Sequence, residues 1–221
     1  MAFIELKNIV KEYELNKRVF RALNDVSVEI EKGEFILILG PSGCGKSTML
    51  NILGGMDKPT SGDVIIADEN ISKYKDRELT AFRKKRIGFV FQQYNLIGNL
   101  TAIENIMMAN EKCSKEEAIK SLERLGLKDK ANSFPNTLSG GEMQRISIAR
   151  AILKHPEILL CDEPTGALDS KNGKEVMDIL KEMNKEGQTI VMVTHNQDYV
   201  SYATRVIYLR DGVLDRGDSV E

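Results

Sequence analysis

The strongest constraint on the fold is a short segment in which every residue is apolar. Residues 35–39 read FILIL, and Gly40 follows them directly. A strand with one solvent-exposed face alternates apolar and polar residues, whereas a strand covered on both faces is apolar throughout. A strand covered on both faces is typical of a parallel sheet with helices packed on each side. This segment therefore predicts an α/β protein with a mainly parallel sheet at its centre.

Two later segments have the same character. ILLC at 158–161 and IVMV at 190–193 are apolar runs, and an amphipathic segment lies between them and ends at Gly187. We interpret the two runs as further buried strands, joined by a helix that the glycine terminates. The pattern predicts a β-α-β arrangement that extends the same sheet.

Other segments predict strands with an exposed face. Residues 3–10 and 25–34 show partial alternation of apolar and polar residues. The sequence RVIYLRDGVL predicts a hairpin whose turn is Asp211–Gly212. We therefore expect an antiparallel β flank beside the parallel core.

The middle of the chain predicts helices. The pairs Thr101–Glu104 and Ser114–Glu117 each place a hydroxyl three residues before a glutamate. This spacing is the capping box that begins many helices. We expect a helical subdomain at roughly 95–150, inserted in one domain that covers 1–221.

Charge and composition exclude several classes of protein. The formal net charge is −2, from 31 basic and 33 acidic residues, so the chain has no global field for nucleic acid. The cluster RKKR at 83–86 is interpreted as a solvated helix face. No apolar run approaches the roughly 20 residues that span a bilayer. The start MAFIELKNIV does not resemble a signal peptide, and the cysteines are widely separated, so we expect a cytosolic chain.

The segment after the first buried strand predicts a phosphate site. Gly40, Gly45, Lys46 and Ser47 satisfy the pattern G-x-x-x-x-G-K-[ST]. Glycines let the backbone N–H groups converge on phosphate oxygens, and a helix that begins near Lys46 adds its positive end. Lys46 is expected to reach the β- and γ-phosphates, and the Ser47 hydroxyl to bind Mg²⁺. The predicted ATP-binding residues of this loop are Gly40, Pro41, Ser42, Gly43, Cys44, Gly45, Lys46, Ser47 and Thr48.

Three polar residues follow the other buried strands. Asp162 and Glu163 come directly after the apolar run 158–161, and His195 ends the segment TIVMVTH. An unpaired charge is costly to bury, so two adjacent carboxylates at a strand end indicate a site. We expect Asp162 to hold the Mg²⁺ shell and Glu163 to polarise the attacking water as a base. His195 is expected to lie beside the phosphates.

At this point the chain resembles the ATP-binding subunit of ABC transporters. The segment LSGGEMQR at 138–145 is similar to the signature sequence of that family, and the other motifs match in order from residue 3 to about 215. The resemblance implies a RecA-like core and an ATPase. It implies that Tyr13 stacks on adenine, that His195 contacts the γ-phosphate, and that Gln92 touches Mg²⁺ and water. Gln93 is adjacent, but the family's glutamine directly follows the aromatic residue, which selects Gln92.

The resemblance also implies a dimer. Two subunits would enclose two ATP molecules head to tail, so that each site is completed by the partner. Ser139, Gly140 and Gly141 of one subunit would cap the γ-phosphate held by Lys46 of the other. Asp169, in the segment GALD, would be the acid of the loop that crosses between subunits. A small residue and two glycines at a helix start also suit an anion physically.

Within the family, NILGGMDKPTSGDV and RIGFVFQQYNL are most similar to the macrolide-exporter and lipoprotein-release type. This implies an FtsX-like membrane permease as the partner, with the subunit at the inner face of the cell membrane and touching it only through the permease. The implied work is export of, or resistance to, peptides, macrolides or lipophilic compounds, or mechanotransmission. The segment between residue 101 and the signature is shorter than in the best-known members, which leaves the partner and the cargo open.

Two other functions remain open from sequence. One is a soluble ABC ATPase that acts on DNA or ribosomes, although the chain has no sustained heptads and only one cassette. The other is a nucleotide-binding switch without turnover, against which the presence of Glu163 and His195 argues.

The thiol of Cys44 forms a separate expectation. Lys46, the loop N–H groups and a helix start all favour a reactive thiolate, so we expect Cys44 to be open to solvent. The alternative is a small filler whose side chain turns under the loop. Cys161 is expected to be buried in its strand, and Cys113 to be accessible on the helical insertion.

Overall fold

The computed structural model describes residues 2–15, 18–110 and 112–215. The strands are β1 (Ile4–Leu15), β2 (Arg18–Ile30), β3 (Phe35–Leu39), β4 (Ser61–Ile66), β5 (Glu69–Asn70), β6 (Ile87–Val90), β7 (Ile158–Asp162), β8 (Thr189–Thr194), β9 (Arg205–Arg210) and β10 (Val213–Asp215). The α-helices are α1 (Lys46–Leu53), α2 (Asp76–Arg86), α3 (Ala102–Met107), α4 (Lys115–Arg124), α5 (Gly140–Ile152) and α6 (Ser170–Lys185).

The central sheet has the strand order β10-β9-β3-β8-β7-β6. The five strands from β9 to β6 are parallel to their neighbours, and only β10 pairs in the antiparallel direction. Every residue of β3 and of β8 is buried, as their apolar sequences predict. The predicted hairpin is confirmed, since Asp211 and Gly212 join β9 to β10 with φ of 47° and 76°.

Alternate residues of β3 contribute to two separate cores. Ile36 and Ile38 pack on the face that also contains β1, β2 and α1. Phe35 and Leu37 pack on the opposite face, with residues of α3, α5 and α6. Both faces of the central sheet are therefore covered, and the predicted α/β class with an antiparallel flank is confirmed.

The antiparallel flank is a second sheet with the order β2-β1-β4-β5. The first strand was expected to end near residue 10, but β1 continues to Leu15. Beyond Val10 this strand pairs with β2 as a two-stranded ribbon. Its backbone hydrogen bonds are therefore made to β2, and the strand does not need an apolar face packed on the core. Alternation of apolar residues could not reveal this extension, and Tyr13 lies inside a strand instead of after one.

The helical insertion comprises α3, α4 and α5, which lie between β6 and β7 in sequence. Both predicted capping boxes are present, at Thr101–Glu104 and at Ser114–Glu117. None of the helices in the described ranges is long and apolar enough to cross a bilayer.

The basic cluster at 83–86 is only partly a solvated helix face. Lys84 and Lys85 are exposed, but Arg86 is half-buried and pairs with Glu69 and Glu157. Arg83 donates to the Gly55 carbonyl at 2.6 Å. Two of the four residues, Arg83 and Arg86, therefore hold α2 against the rest of the protein.

Candidate functional site

Parallel pairing brings the predicted site residues to one edge of the central sheet. Leu39 is in register with Thr194, and Asp162 with Val193. Because the carboxyl ends of parallel strands meet at the same edge, the loop after β3 lies beside Asp162 and His195. This edge is where ligands bind in open α/β sheets.

The loop at 40–48 depends on two glycines that no other residue can replace. A Cβ on Gly40 would lie 2.1 Å from the Leu209 carbonyl oxygen, and a Cβ on Gly45 would lie 2.3 Å from that of Ala22. Gly45 also has a φ of 105° and precedes α1 without a side-chain cap. The first N–H groups of α1 are therefore left without a capping side chain, and a helix start of this kind binds anions.

Lys46 lies in the loop that it was predicted to serve. Its ammonium donates to the carbonyl oxygens of Gly40 and Pro41, each at 2.8 Å, and the residue is only 7% exposed. The described residues provide no salt bridge to this ammonium, and both of its hydrogen-bond partners are neutral carbonyl oxygens. A phosphate oxygen would be a stronger acceptor for the same group.

Ser47 and Asp162 contact each other as predicted. The Ser47 hydroxyl donates to Asp162 Oδ1 at 3.0 Å. Burial raises the pKa of the Asp162 carboxyl, and the nearby charge of Glu163 raises it further, whereas the bond from Ser47 and the charge of Lys46 lower it. The raised pKa means that the negative charge of Asp162 is unfavourable in this environment. A divalent cation would stabilise that charge, and a carboxylate and a hydroxyl in contact supply the oxygen ligands that such a cation prefers.

Glu163 is held by two neighbours from the end of β8. Its Oε2 accepts from the Thr194 hydroxyl at 3.0 Å, and its Oε1 lies 3.0 Å from Nδ1 of His195. Its backbone is in the left-handed region, with a φ of 46°, a conformation that is uncommon for a glutamate. His195 is largely exposed and therefore accessible from solvent. The arrangement orients one carboxylate at the edge of the phosphate loop.

Gln92 reaches the turn that follows Glu163. A Cβ on Gly166 would lie 2.9 Å from Gln92 Nε2, so the amide packs directly on this glycine. The Gly166 N–H in turn donates to the Glu163 carbonyl at 3.0 Å. The structure therefore brings Gln92 to Glu163 through one tight turn.

Tyr13 lies near the first turn of α1 but has contacts of its own. Its hydroxyl donates to Asp57 Oδ2 at 2.8 Å, and the Lys11 ammonium lies 4.7 Å from the ring centroid. Burial and the bond to Asp57 raise the pKa of Tyr13, while a contact with Thr48 lowers it. The ring is thus fixed next to Thr48, the last residue of the predicted loop.

The signature residues surround the start of α5. Ser139 is the N-cap of that helix, and its hydroxyl accepts from the Glu142 N–H at 3.3 Å. A Cβ on Gly141 would lie 2.3 Å from Asn172 Oδ1, and Asn172 donates both its N–H and its amide to Asp169. The structure therefore brings Asp169 next to the signature, since the starts of α5 and α6 touch.

The thiol expectations require two corrections. Cys44 is only 4% exposed and packs in the apolar core below the loop, so the open, reactive thiol is wrong and the small filler is confirmed. The prediction failed because it considered only the charges and N–H groups near the thiol, whereas the side chain packs beneath the loop, with Sγ 2.7 Å from where a Cβ on Gly40 would lie. Cys113 was expected to be accessible, but it is buried, at 8% exposure. It packs with apolar residues of α3, α4 and α5 inside the helical insertion. Cys161 is fully buried, as expected.

Sequence reasoning missed three residues that contact the site. Thr194 holds Glu163, Asn172 holds Asp169, and Gln144 reaches the backbone next to Gln92. The sequence could have indicated two of them. Thr194 directly precedes His195, and Asn172 lies three residues after Asp169, the N-cap of α6. Gln144 carried only a weak signal, a polar residue among the apolar positions of α5.

A sizeable cavity lies away from this sheet edge. It has a volume of about 560 Å³ and is lined by α4, the segment 152–156 and the end of α6. None of the predicted site residues lines it. In the phosphate loop, Pro41, Ser42 and Gly43 are exposed.

Comparison with known proteins gives a family for this arrangement. The profile described as ABC transporter matches residues 23–166. An uncharacterized ABC transporter ATP-binding protein of Methanocaldococcus jannaschii, MJ0796, is 46% identical over 98% of this chain and 97% of its own length. The macrolide export ATP-binding/permease protein MacB of Psychrobacter cryohalolentis is 42% identical over 96% of this chain, which spans 33% of that longer protein.

Solved structures agree with the fold. A dimeric structure of MJ0796 in a post-hydrolysis state, bound to ADP and Pi, superimposes with a TM-score of 0.88 at 44% identity, over 96% of this chain and 97% of that one. A second dimeric structure of the same cassette gives a TM-score of 0.89 at 46% identity, with the same coverage. With the loop, the paired acids and the signature in place, this chain belongs to the ABC transporter family and is one of its ATP-binding ATPase domains.

Proposed function

We propose that this chain binds and hydrolyses ATP as the energy-supplying subunit of a transporter, and that Glu163 is its catalytic base. The observation that carries the proposal is the position of the Glu163 carboxylate. It is fixed by Thr194 and His195 at the sheet edge that also holds Lys46 and Ser47. A base must be held within reach of the water that it polarises, and here two hydrogen-bonding neighbours fix its direction.

The roles of the loop residues follow from their contacts. The backbone of 40–48 and the start of α1 bind the phosphates, Lys46 neutralises their charge, and Tyr13 carries the adenine. Ser47, Asp162 and Gln92 are the residues that would hold Mg²⁺, and the bonded Ser47–Asp162 pair fits such an ion. When bound, the ion neutralises charge on the β- and γ-phosphates. His195 lies against Glu163 and would contact the γ-phosphate.

A head-to-tail homodimer completes each site in this proposal. No hydrogen bond among the described residues joins Ser139, Gly140 or Gly141 to the loop at 40–48 of the same chain. Together with Asp169 they would cap the phosphates held by the partner. The dimeric structures of the MJ0796 cassette support this arrangement.

The membrane partner is proposed to be an FtsX-like permease. Support comes from the similarity to MacB, whose name joins ATP-binding and permease activities. The chain would act in the cytoplasm, at the inner face of the membrane and attached through the permease, with no nucleic acid partner. Its work would be export of, or resistance to, peptides, macrolides or lipophilic compounds, or mechanotransmission. We further propose that 1–221 is one domain, with a helical subdomain at roughly 95–150 inserted in a RecA-like core.

The test is Glu163→Gln. The amide keeps the size and polarity of the side chain but cannot act as a base, so turnover should fall by roughly 100-fold or more while ATP binding persists. The variant should accumulate as an ATP-bound dimer, which size-exclusion chromatography with MgATP detects. Wild-type turnover in this variant would contradict the assignment of the base.

Two further measurements separate the alternative functions. A nucleotide switch without turnover predicts no steady-state ATPase in the wild-type chain. A soluble ATPase of DNA or ribosomes predicts that affinity purification recovers ribosomes or nucleic acid, whereas the present proposal predicts recovery of a membrane permease.

A further inference from the structure

A buried glutamine on the signature helix makes one hydrogen bond and leaves its other polar atom unpaired. Gln144 is 0% exposed, and its Nε2 donates to the Phe91 carbonyl at 3.3 Å. Its Oε1 is buried and has no hydrogen-bond partner within the described ranges. A buried polar atom without a partner is destabilising, because it has lost its hydrogen bonds to water and gained none in the protein. A glutamine is therefore a poor choice for stability at this position, and its presence needs another reason.

The residue that Gln144 contacts is the one directly before Gln92. Phe91 follows β6, and its ring stacks on Phe89 of that strand with a centroid distance of 4.3 Å. Its side chain is thus held by the sheet, while its carbonyl is held by α5. The start of the loop that carries Gln92 is fixed from two sides.

The far side of the same loop is also held by α5. Arg150 donates to the carbonyl oxygens of Tyr94 and Asn95, at 2.9 and 2.5 Å. Burial lowers the pKa of Arg150, and no ion pair to it occurs among the described residues. Gln92 and Gln93 themselves are exposed. The loop is therefore anchored to α5 before and after the exposed glutamines.

We propose that Gln144 is a positioning residue for hydrolysis, which acts through the Phe91 carbonyl to hold Gln92 against the Gly166 turn beside Glu163. The inference rests on the proposed ATPase function. Gln144 is fully buried, so its proposed effect on hydrolysis is indirect. Because α5 begins at the signature, the same helix that caps the nucleotide in the partner's site orients Gln92 in its own.

The test variant is Gln144→Met, which keeps length and volume but removes the donor and the unpaired acceptor. Thermal unfolding should occur near the wild-type temperature, because the removal of the unpaired Oε1 offsets the loss of the donor to the Phe91 carbonyl. Steady-state kinetics should show kcat reduced roughly tenfold, because Gln92 is less well positioned. The KM for ATP should change by less than about twofold, because the loop at 40–48 is unaltered.

The matched control is Ser147→Ala. Ser147 lies one turn further along α5 and is equally buried, and within the described ranges its hydroxyl has no hydrogen-bond partner, in the loop or elsewhere. This variant should unfold at or above the wild-type temperature, because it breaks no hydrogen bond, and it should keep wild-type kcat.

Three outcomes would overturn the proposal: unchanged kcat in Gln144→Met, an increase in KM at constant kcat, or a fall in activity that parallels a fall in unfolding temperature. Absence of ATPase in the wild-type chain would instead count against the proposed function, so the two failures are distinguishable.

Discussion

Two helices of this protein begin at segments that sequence alone marks as anion sites, and the structure shows that they begin differently. The start of α1 follows Gly45, which has no side chain to cap it. The start of α5 follows Ser139 and has a complete capping box, in which Glu142 Oε2 accepts from the Ser139 N–H at 2.8 Å. The start of α1 has no side-chain cap, whereas at the start of α5 the N–H groups of Ser139 and Glu142 are already paired with side chains of the same chain.

The difference has an electrostatic consequence. Accepting from the Ser139 N–H lowers the pKa of the Glu142 carboxyl, so this group carries its negative charge at neutral pH. Lys130 lies 3.2 Å from its other oxygen and offsets part of that charge. The start of α1 can therefore bind phosphate without a partner, while the start of α5 suits a phosphate that is already neutralised elsewhere. This fits a signature that caps a nucleotide held by a second subunit.

The largest expected effects come from substitutions at the starts of α1 and α5, which should affect nucleotide binding and turnover differently. Lys46→Ala should weaken nucleotide binding to the monomer by roughly tenfold or more, because it removes a charge-assisted contact. Ser139→Arg should leave monomer binding within about twofold of wild type, yet lower turnover by roughly 100-fold, because the other subunit's site loses its cap. Titration with a fluorescent ATP analogue and a steady-state ATPase assay measure the two effects.

The matched control for the second variant is Ser114→Arg, which disrupts the same type of capping box at the start of α4. It should retain wild-type turnover. If Ser139→Arg loses monomer binding as severely as Lys46→Ala, the two starts belong to one site within the chain and the head-to-tail arrangement is wrong.

A smaller effect is expected from Glu142→Gln, which sharpens the comparison. Glutamine also completes a capping box, so the helix start survives, but the charge facing the partner's phosphate is removed. ATP-dependent dimerisation should strengthen by roughly two- to fivefold, the range expected of one charge at a helix end. Analytical ultracentrifugation with MgATP in the Glu163→Gln background measures it.

Glu117→Gln provides the control, because Glu117 occupies the same position in the capping box of α4. It should not alter the dimer. An equal or weaker dimer in Glu142→Gln would show that the carboxylate does not oppose the incoming phosphate.

The sequence predicts those parts of the fold and the site in which the residues that contact each other are close together along the chain. Buried strands were readable because β3 and β8 are apolar at nearly every position, and helix starts were readable because a cap and its glutamate are three residues apart. The contact of Gln144 with Phe91 joins residues 53 positions apart, and no local pattern specifies it. The first strand was predicted to end before Tyr13 for a similar reason. The part of β1 that contains Tyr13 is stabilised by pairing with β2 and not by burial, so its sequence shows no apolar pattern.

The smallest expected effect concerns Cys44, at the open start of α1. Its side chain packs in the core cluster below the loop, and only its backbone takes part in the loop's hydrogen bonds. Maleimide should therefore label Cys44 only when the protein unfolds, at a rate that MgATP changes no more than it changes global unfolding. Cys44→Ala should keep kcat within about twofold and reduce the free energy of unfolding by about 1 kcal/mol, from the lost contacts of one buried sulfur atom. Cys44→Ser should cost more, about 1–3 kcal/mol, because it buries a hydroxyl in apolar surroundings. Rapid labelling of the folded protein, prevented by MgATP, would instead place the thiol on the ligand side of the loop and make the start of α1 more exposed than its contacts indicate.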